Sequence, residues 1–302
     1  MKVKNNINKK EAKTSNQYNK KALTNILTID VEDYFHVTAF ENYVKFKNWG
    51  KFESRVEKNI RLLLEILNQE KVKATFFFLG WVAERNKELV KEVKNQGHEI
   101  GCHSFSHKMI FTQKKEEFKE DTRRAKSILE DLIGKRVIGY RAPTYSITKD
   151  SLWALDILIE MGFKYDSSIF PIYHDRYGIP DFPRSPHFVK REGIGKILEF
   201  PLSTVKFLNY NIPIAGGGYF RLFPYKFIRW GIKKINLVEN KFAIVYFHPW
   251  EFDPGQPKIK SSFLKKFRHY LNLEKTEEKF CKLINDFKFT SFENLIENTI
   301  FE

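Results

Sequence analysis

The sequence predicts an α/β protein built on a parallel sheet, closed or nearly closed into a barrel, with helices outside. Three observations predict it. Short β-branched and aromatic runs alternate with segments whose apolar residues recur at helical spacing. Glycines follow several of the helical segments, where a left-handed residue ends a helix at little cost. The chain of 302 residues, 42% hydrophobic and with 29 Phe, has ample material for one large core.

Residues 26–31 read as the first strand. Residues 54–69 follow as a helix, with Val56, Ile60, Leu63, Leu64 and Leu67 on one face and Ser54 placed to cap it. An apolar strand at 74–79 precedes a helix at 86–96 that Gly97 ends, and a brief third strand at 98–102. The long helix 115–133 closes at Gly134, a fourth strand spans 137–141, and the helix 149–161 stops at Gly162. Residues 170–195, rich in Pro, Gly, His and Asp, read as a long loop or insertion. Further strands are expected at 197–203 and 242–247, and further helices at 225–235 and 276–286. No repeat or linker divides residues 23–302, so one domain is expected, with polar, aromatic-spaced helices as an extension from about 253.

Lys and Arg number 52 against 37 Asp and Glu, a formal charge of +15 that suits anionic partners. The lysines are spread along the chain, which argues against a nucleic-acid-binding stretch. Two distant cysteines, Cys102 and Cys281, form no disulfide framework. Residues 1–22 read as a disordered basic arm without the apolar core of a signal or anchor. The expectation is a cytoplasmic protein in peripheral contact with the anionic inner membrane face.

In parallel α/β folds, functional side chains gather at the carboxyl ends of strands. Here the first strand ends in Asp30-Val31-Glu32-Asp33, the third in His103-Ser104-Phe105-Ser106-His107, the fourth in Arg141-Ala142-Pro143, and a late one in His248-Pro249-Trp250. His-x-x-x-His alone is a weak signal, but either a helical turn or a tight loop would bring both imidazoles to one ion. Three carboxylates at the end of a buried strand are costly to dehydrate, and a cation relieves that cost. Without a cation, they would be a solvated loop or a cap for the next helix. Arg141 could hold one carboxylate ionised and oriented. His248, at a strand's carboxyl end, is a general-acid candidate.

These residues, with Leu27-Thr28-Ile29-Asp30 and Tyr165-Asp166-Ser167-Ser168, come in an order that resembles the polysaccharide deacetylases, carbohydrate esterase family four. The match runs from about Ile26 to Trp250. The run Asp30 to Phe35, together with Gly216-Gly217-Gly218-Tyr219-Phe220-Arg221 and His248-Pro249-Trp250-Glu251-Phe252-Asp253-Pro254, looks closest to a subgroup associated with exopolysaccharide and exosortase loci.

The resemblance implies a distorted (β/α) barrel of about seven strands and a divalent ion, zinc first, with cobalt or nickel as alternatives. His103, His107 and one carboxylate would hold the ion. By position, Asp30 matches the catalytic base, His248 the acid, Arg141 the arginine orienting the base, and Asp166 a residue supporting the acid. The commoner pattern has a second Asp directly after the base, where this chain has Val31. The ligand is therefore Glu32, which shares a strand face with Asp30, or Asp33 if the chain turns first. Pro143, Tyr145, Tyr219, Phe220 and Trp250 are candidate contacts for an N-acetylated glycan.

The expected reaction is removal of an N-acetyl group as acetate. The alternatives are a same-fold amidohydrolase acting on a small non-sugar amide, and an inactive basic protein that grips a glycan or another anion.

Overall fold

The computed structural model describes residues 23–301; the basic arm expected at 1–22 lies outside them. Eleven strands are present in chain order: β1 (Asn25–Val31), β2 (Thr75–Phe78), β3 (Glu99–Cys102), β4 (Gly139–Tyr140), β5 (Tyr165–Asp166), β6 (His187–Arg191), β7 (Gly195–Glu199), β8 (Thr204–Phe207), β9 (Tyr210–Pro213), β10 (Ile244–Phe247) and β11 (Phe289–Thr290). Seven of them run parallel in the order β10-β1-β2-β3-β4-β5-β7, as expected for the barrel. β6 adds antiparallel to β7, and β11 pairs with the start of β1.

The central parallel strands are covered on both faces, so β1, β2, β3 and β10 are buried along their whole length and show no alternation of buried and exposed residues. All four residues of β2 are buried. Ile26, Phe77, Tyr165, Leu198, Phe200 and Ile244 fill the inside, and Phe292 of the last helix plugs its lower end. Outward residues such as Ile29, Phe76 and Ile100 pack under the helices. Large inner rings need small neighbours. A Cβ on Gly101 would stand 2.4 Å from the Phe77 ring, and one on Gly139 2.1 Å from Tyr165.

The barrel does not close by a full ladder. β7 and β10 are joined by a seam in which Ser203 Oγ accepts from Ile244 N (2.7 Å), Ser203 O from Ile214 N (3.3 Å), and Ala215 O from Tyr246 N (2.7 Å). Gly216 completes it with φ +141°, and a Cβ there would lie 1.8 Å from Tyr246 O. Only glycine fits so close to another backbone.

Several expectations change. Residues 170–195 are not all loop, because β6 within them forms a hairpin with β7. The strand expected at 197–203 begins and ends earlier, since the chain turns at Phe200-Pro201 toward the β8–β9 hairpin. Tyr165-Asp166 is itself a strand, too short to show a period. Ser54 does not cap the helix Val56–Gln69; its hydroxyl donates to Asp33 instead. Among the described residues, no helix is long and apolar enough to cross a membrane.

At the lower end of the barrel, the buried Glu99 carboxyl accepts from Tyr165 Oη (2.7 Å), Thr75 Oγ1 (2.6 Å) and Glu293 N (2.8 Å). Burial outweighs these bonds and pushes its pKa from 4.5 up to about 7. A raised carboxyl pKa means that the native state holds a proton the unfolded chain releases. The contribution of Glu99 to stability is therefore fully present below about pH 4.5 and is lost as pH rises to about 7. Urea titrations across that window should show this decline, and Glu99→Gln should flatten it.

Candidate active site

The upper end of β1 sets the site. β1 stops at Val31, and Glu32 N bonds back to Asp30 O at 3.0 Å, so the chain turns immediately. The turn separates the three carboxylates. Asp33 swings outward and accepts from Ser54 Oγ (2.7 Å), Arg55 N (3.0 Å) and Val56 N (3.3 Å). It anchors the start of the helix Val56–Gln69, where a negative charge is favoured. Asp30 and Glu32 stay inside.

Glu32, His103 and His107 form a buried group whose ligand-type atoms all lie within 4.8 Å of one another. Both histidines come from a tight loop after β3. Ser104 and His107 have φ of +60° and +53°, and Asp121 fixes the loop by accepting from Phe105 N (2.7 Å) and Ser106 Oγ (2.5 Å). His103 Nδ1 lies 2.8 Å from Arg141 O. A carbonyl can only accept, so the hydrogen sits on Nδ1 and Nε2 keeps its lone pair. Burial lowers the His103 pKa to about 4, which keeps the ring neutral.

Glu32 Oε1 accepts from Trp250 Nε1 at 3.2 Å. Its Oε2 lies 2.7 Å from His107 Nε2 but without the alignment of a hydrogen bond, and is left without a hydrogen-bond partner. Burial would raise the Glu32 pKa, but His107, His248 and His103 outweigh it and hold the group well below the usual carboxylate range. An ionised, orphaned oxygen facing two imidazoles is a donor set that fits a divalent cation of zinc type. His36, just beyond, is not one of the group. Its Nδ1 accepts from Asp33 N (2.9 Å), and its ring packs on Trp49 and Trp81.

Asp30 faces a different cation. Arg141, fully buried, donates from Nη1 to Asp30 Oδ1 (2.8 Å) and Thr28 Oγ1 (2.6 Å), from Nε to Ser167 O (2.9 Å) and from Nη2 to Ser167 Oγ (2.9 Å). Its guanidinium also lies over the Phe77 ring, 4.4 Å from the centroid. The other Asp30 oxygen accepts from Tyr145 Oη at 3.1 Å. Thr144 and Tyr145, at φ +55° and +52°, bend the turn that aims this hydroxyl.

His248 follows β10 and is the most accessible of these groups, at 17% side-chain exposure. Its Nδ1 lies 2.6 Å from Glu251 Oε1, and its Nε2 faces the cluster, 3.6 Å from Glu32 Oε1. Burial alone would lower its pKa. The bond to Glu251 and the charges of Glu32, Glu251 and Asp30 push it up to about 9. Glu251 is fully buried, and Arg221 Nε donates to its other oxygen at 2.8 Å.

Asp166 does not support His248. It accepts from Ser168 Oγ (2.5 Å) and stands opposite Glu199, its partner across the β5–β7 ladder. Ser168 Oγ in turn accepts from Ala142 N (2.7 Å), so this group braces the Arg141 loop. Glu251 and Arg221 fill the supporting place. Both lay in stretches noted only as subgroup signatures, and Glu three residues after His248 was the available signal.

The candidate sugar contacts divide. Phe220 is core, edge-on to Phe247 at 4.8 Å, and Pro143 is buried in its turn. Trp250 is buried too, stacked between His248 (5.0 Å) and His269 (4.2 Å). Tyr145 is spent on Asp30. Tyr219 remains part-exposed, as does Tyr177, which packs against Tyr145 at 6.0 Å. Tyr177 lies in the stretch read as a loop, and no pattern marked it.

Residues 49–165 match the family described as polysaccharide deacetylase, and residues 167–297 match a domain of unknown function, DUF3473. A peptidoglycan deacetylase of Helicobacter pylori is 32% identical over 128 residues, 40% of this chain and 42% of that protein. The chain thus spans less than half the length of the curated relatives it matches. A Mycobacterium smegmatis protein assigned to the polysaccharide deacetylases has a similar fold, with TM-score 0.56 and 17% identity over 91% of this chain and 90% of that one. The PuuE allantoinase has the same fold at TM-score 0.55 and 14% identity, over 92% and 90%. This chain carries a polysaccharide deacetylase domain. Asp30 and Glu32 precede the first match, and Arg221, His248 and Glu251 fall in the second.

Glu32→Ala should abolish zinc binding measured by calorimetry on protein stripped of metal. Asp33→Ala should bind zinc normally and lower the melting temperature, because it removes a helix anchor worth about 1 kcal/mol.

Proposed function

We propose that this protein is a divalent-metal-dependent deacetylase that removes N-acetyl groups from the sugars of a polysaccharide. Residues 23–302 would act as one catalytic domain, and the metal would be zinc. One observation carries this reading: a base with its arginine, a two-His, one-carboxylate donor set and a charged histidine meet at the upper ends of β1, β3, β4 and β10. The matched family and the printed names of the curated relatives support a sugar polymer as substrate. Residues 216–221 and 248–254 lie inside the DUF3473 match, and they support the exopolysaccharide-locus subgroup.

Glu32, His103 and His107 would hold the ion, which when bound supplies Lewis acidity toward a water and the acetyl carbonyl. Asp30, aimed by Arg141 and Tyr145, takes the proton of the attacking water. His248 carries its proton on the nitrogen facing the cluster, because Glu251 binds the other side of the ring. It gives that proton to the departing sugar nitrogen as the amide C–N bond breaks. Acetate and a free amine result. Tyr219 and Tyr177 offer ring faces to the sugar on the open side.

The test is acetate release from an N-acetylated oligosaccharide. Activity should vanish with a chelator and return with zinc or cobalt. Asp30→Asn should cut kcat by about 100-fold or more while zinc binding persists, as expected for lost general-base catalysis. Loss of zinc in that variant would exchange the roles of Asp30 and Glu32. A metal-loaded protein that releases no acetate from any N-acetylated glycan, yet cleaves a small amide, would replace this reading with the amidohydrolase one. Glu251→Gln should lower kcat by about tenfold or more without loss of metal.

A further inference from the structure

Residues 254–273 contain no acidic residue and five cations, Lys258, Lys260, Lys265, Lys266 and Arg268. Within them lies the helix Phe263–Tyr270. One side of this helix is fixed to the catalytic region. His269 stacks on Trp250, and Arg221 Nη1 donates to His269 O (2.7 Å) and Leu271 O (2.9 Å). Tyr270 Oη accepts from Ile259 N at 2.8 Å. The other side is apolar and open, with Phe263 83%, Leu264 56% and Phe267 48% exposed, and the two rings stacked at 6.4 Å.

A second segment continues this face. Lys265 lies over the Tyr43 ring at 5.3 Å, and a shallow hollow lined by Tyr43, Val44, Phe52, Pro257 and Lys258 joins the two segments. Tyr43 and Phe46 are 49% and 43% exposed, and Lys45, Lys47 and Lys51 stand exposed beside them. None of these eight cations forms an ion pair among the described residues. Arg268 is near enough for its charge to act on His174 and Tyr219, which places the face beside the mouth of the site.

We propose that this face, built from residues 43–51 and 258–268, docks on an anionic lipid surface. Unpaired cations suit phosphate headgroups, and aromatic rings among them suit the boundary between headgroups and acyl chains. A soluble polyanion would satisfy the lysines but leave Phe263, Leu264 and Phe267 in water. Lipid satisfies both. The helix is short, so the docking is peripheral and reversible. This inference does not depend on the chemistry proposed above.

Co-sedimentation of the full chain with vesicles tests it. The protein should pellet with vesicles of phosphatidylcholine and phosphatidylglycerol, remain in solution with phosphatidylcholine alone, and detach as salt rises. Phe263→Ser/Phe267→Ser should weaken binding at least about tenfold without lowering the melting temperature, since both rings are exposed. Lys265→Glu/Lys266→Glu should weaken it similarly. No pelleting with anionic vesicles would overturn the proposal. So would binding that the phenylalanine substitutions leave unchanged, which would mark the face as a polyanion site.

Discussion

The buried pair of Asp30 and Arg141 is the constraint on which the rest of the site depends. An arginine with no solvent exposure is tolerated only if every direction of its charge is answered. Here Asp30, Thr28, both groups of Ser167 and the Phe77 ring do so. Those partners come from β1, β2 and the end of β5, so the guanidinium fixes how three strand ends stand relative to one another. Removing it would leave a carboxylate uncompensated in the interior, at a cost of roughly 3–5 kcal/mol. Its carbonyl also sets the His103 tautomer, so the arginine shapes the histidine cluster as well as the Asp30 carboxylate.

The other half of the site has its own buried pair. Arg221 and Glu251 repeat the arrangement of a cation holding a carboxylate, and that carboxylate orients His248. Burial would raise the Glu251 pKa, but Arg221 and His248 together outweigh it and lower it. Asp30 and His248 are thus each tied to a buried arginine, Asp30 directly and His248 through Glu251. Trp250 lies between the halves, bonded to Glu32 and stacked on His248.

Much of this could be read before folding was known. The strands β1, β2 and β10 announce themselves by largely apolar runs, and the polar residues at their ends stand out against that background. The fork between Glu32 and Asp33 could not be decided by alternation. The chain turns directly after β1, the case that pointed to Asp33, yet the turn leaves Glu32 beside the histidines and carries Asp33 to the start of the next helix. β4 and β5 have two residues each and carry no period. Asp166 was read by motif position, yet its neighbour is set by the β5–β7 ladder, a long-range pairing that local patterns do not encode. Trp250 and Phe220 looked like sugar platforms because aromatic residues near strand ends often are, whereas burial makes one a brace and the other core.

The seam between the two family matches falls between Tyr165 and Ser167, inside or just after β5. β10, from the second half, pairs along its length with β1, from before the first. A polypeptide cut at that seam would carry His248, Glu251 and Arg221 on one fragment and Asp30, Glu32, His103, His107 and Arg141 on the other. Each fragment would also be left with raw strand edges. The two matched segments therefore share one sheet, and the cluster at its upper end draws side chains from both.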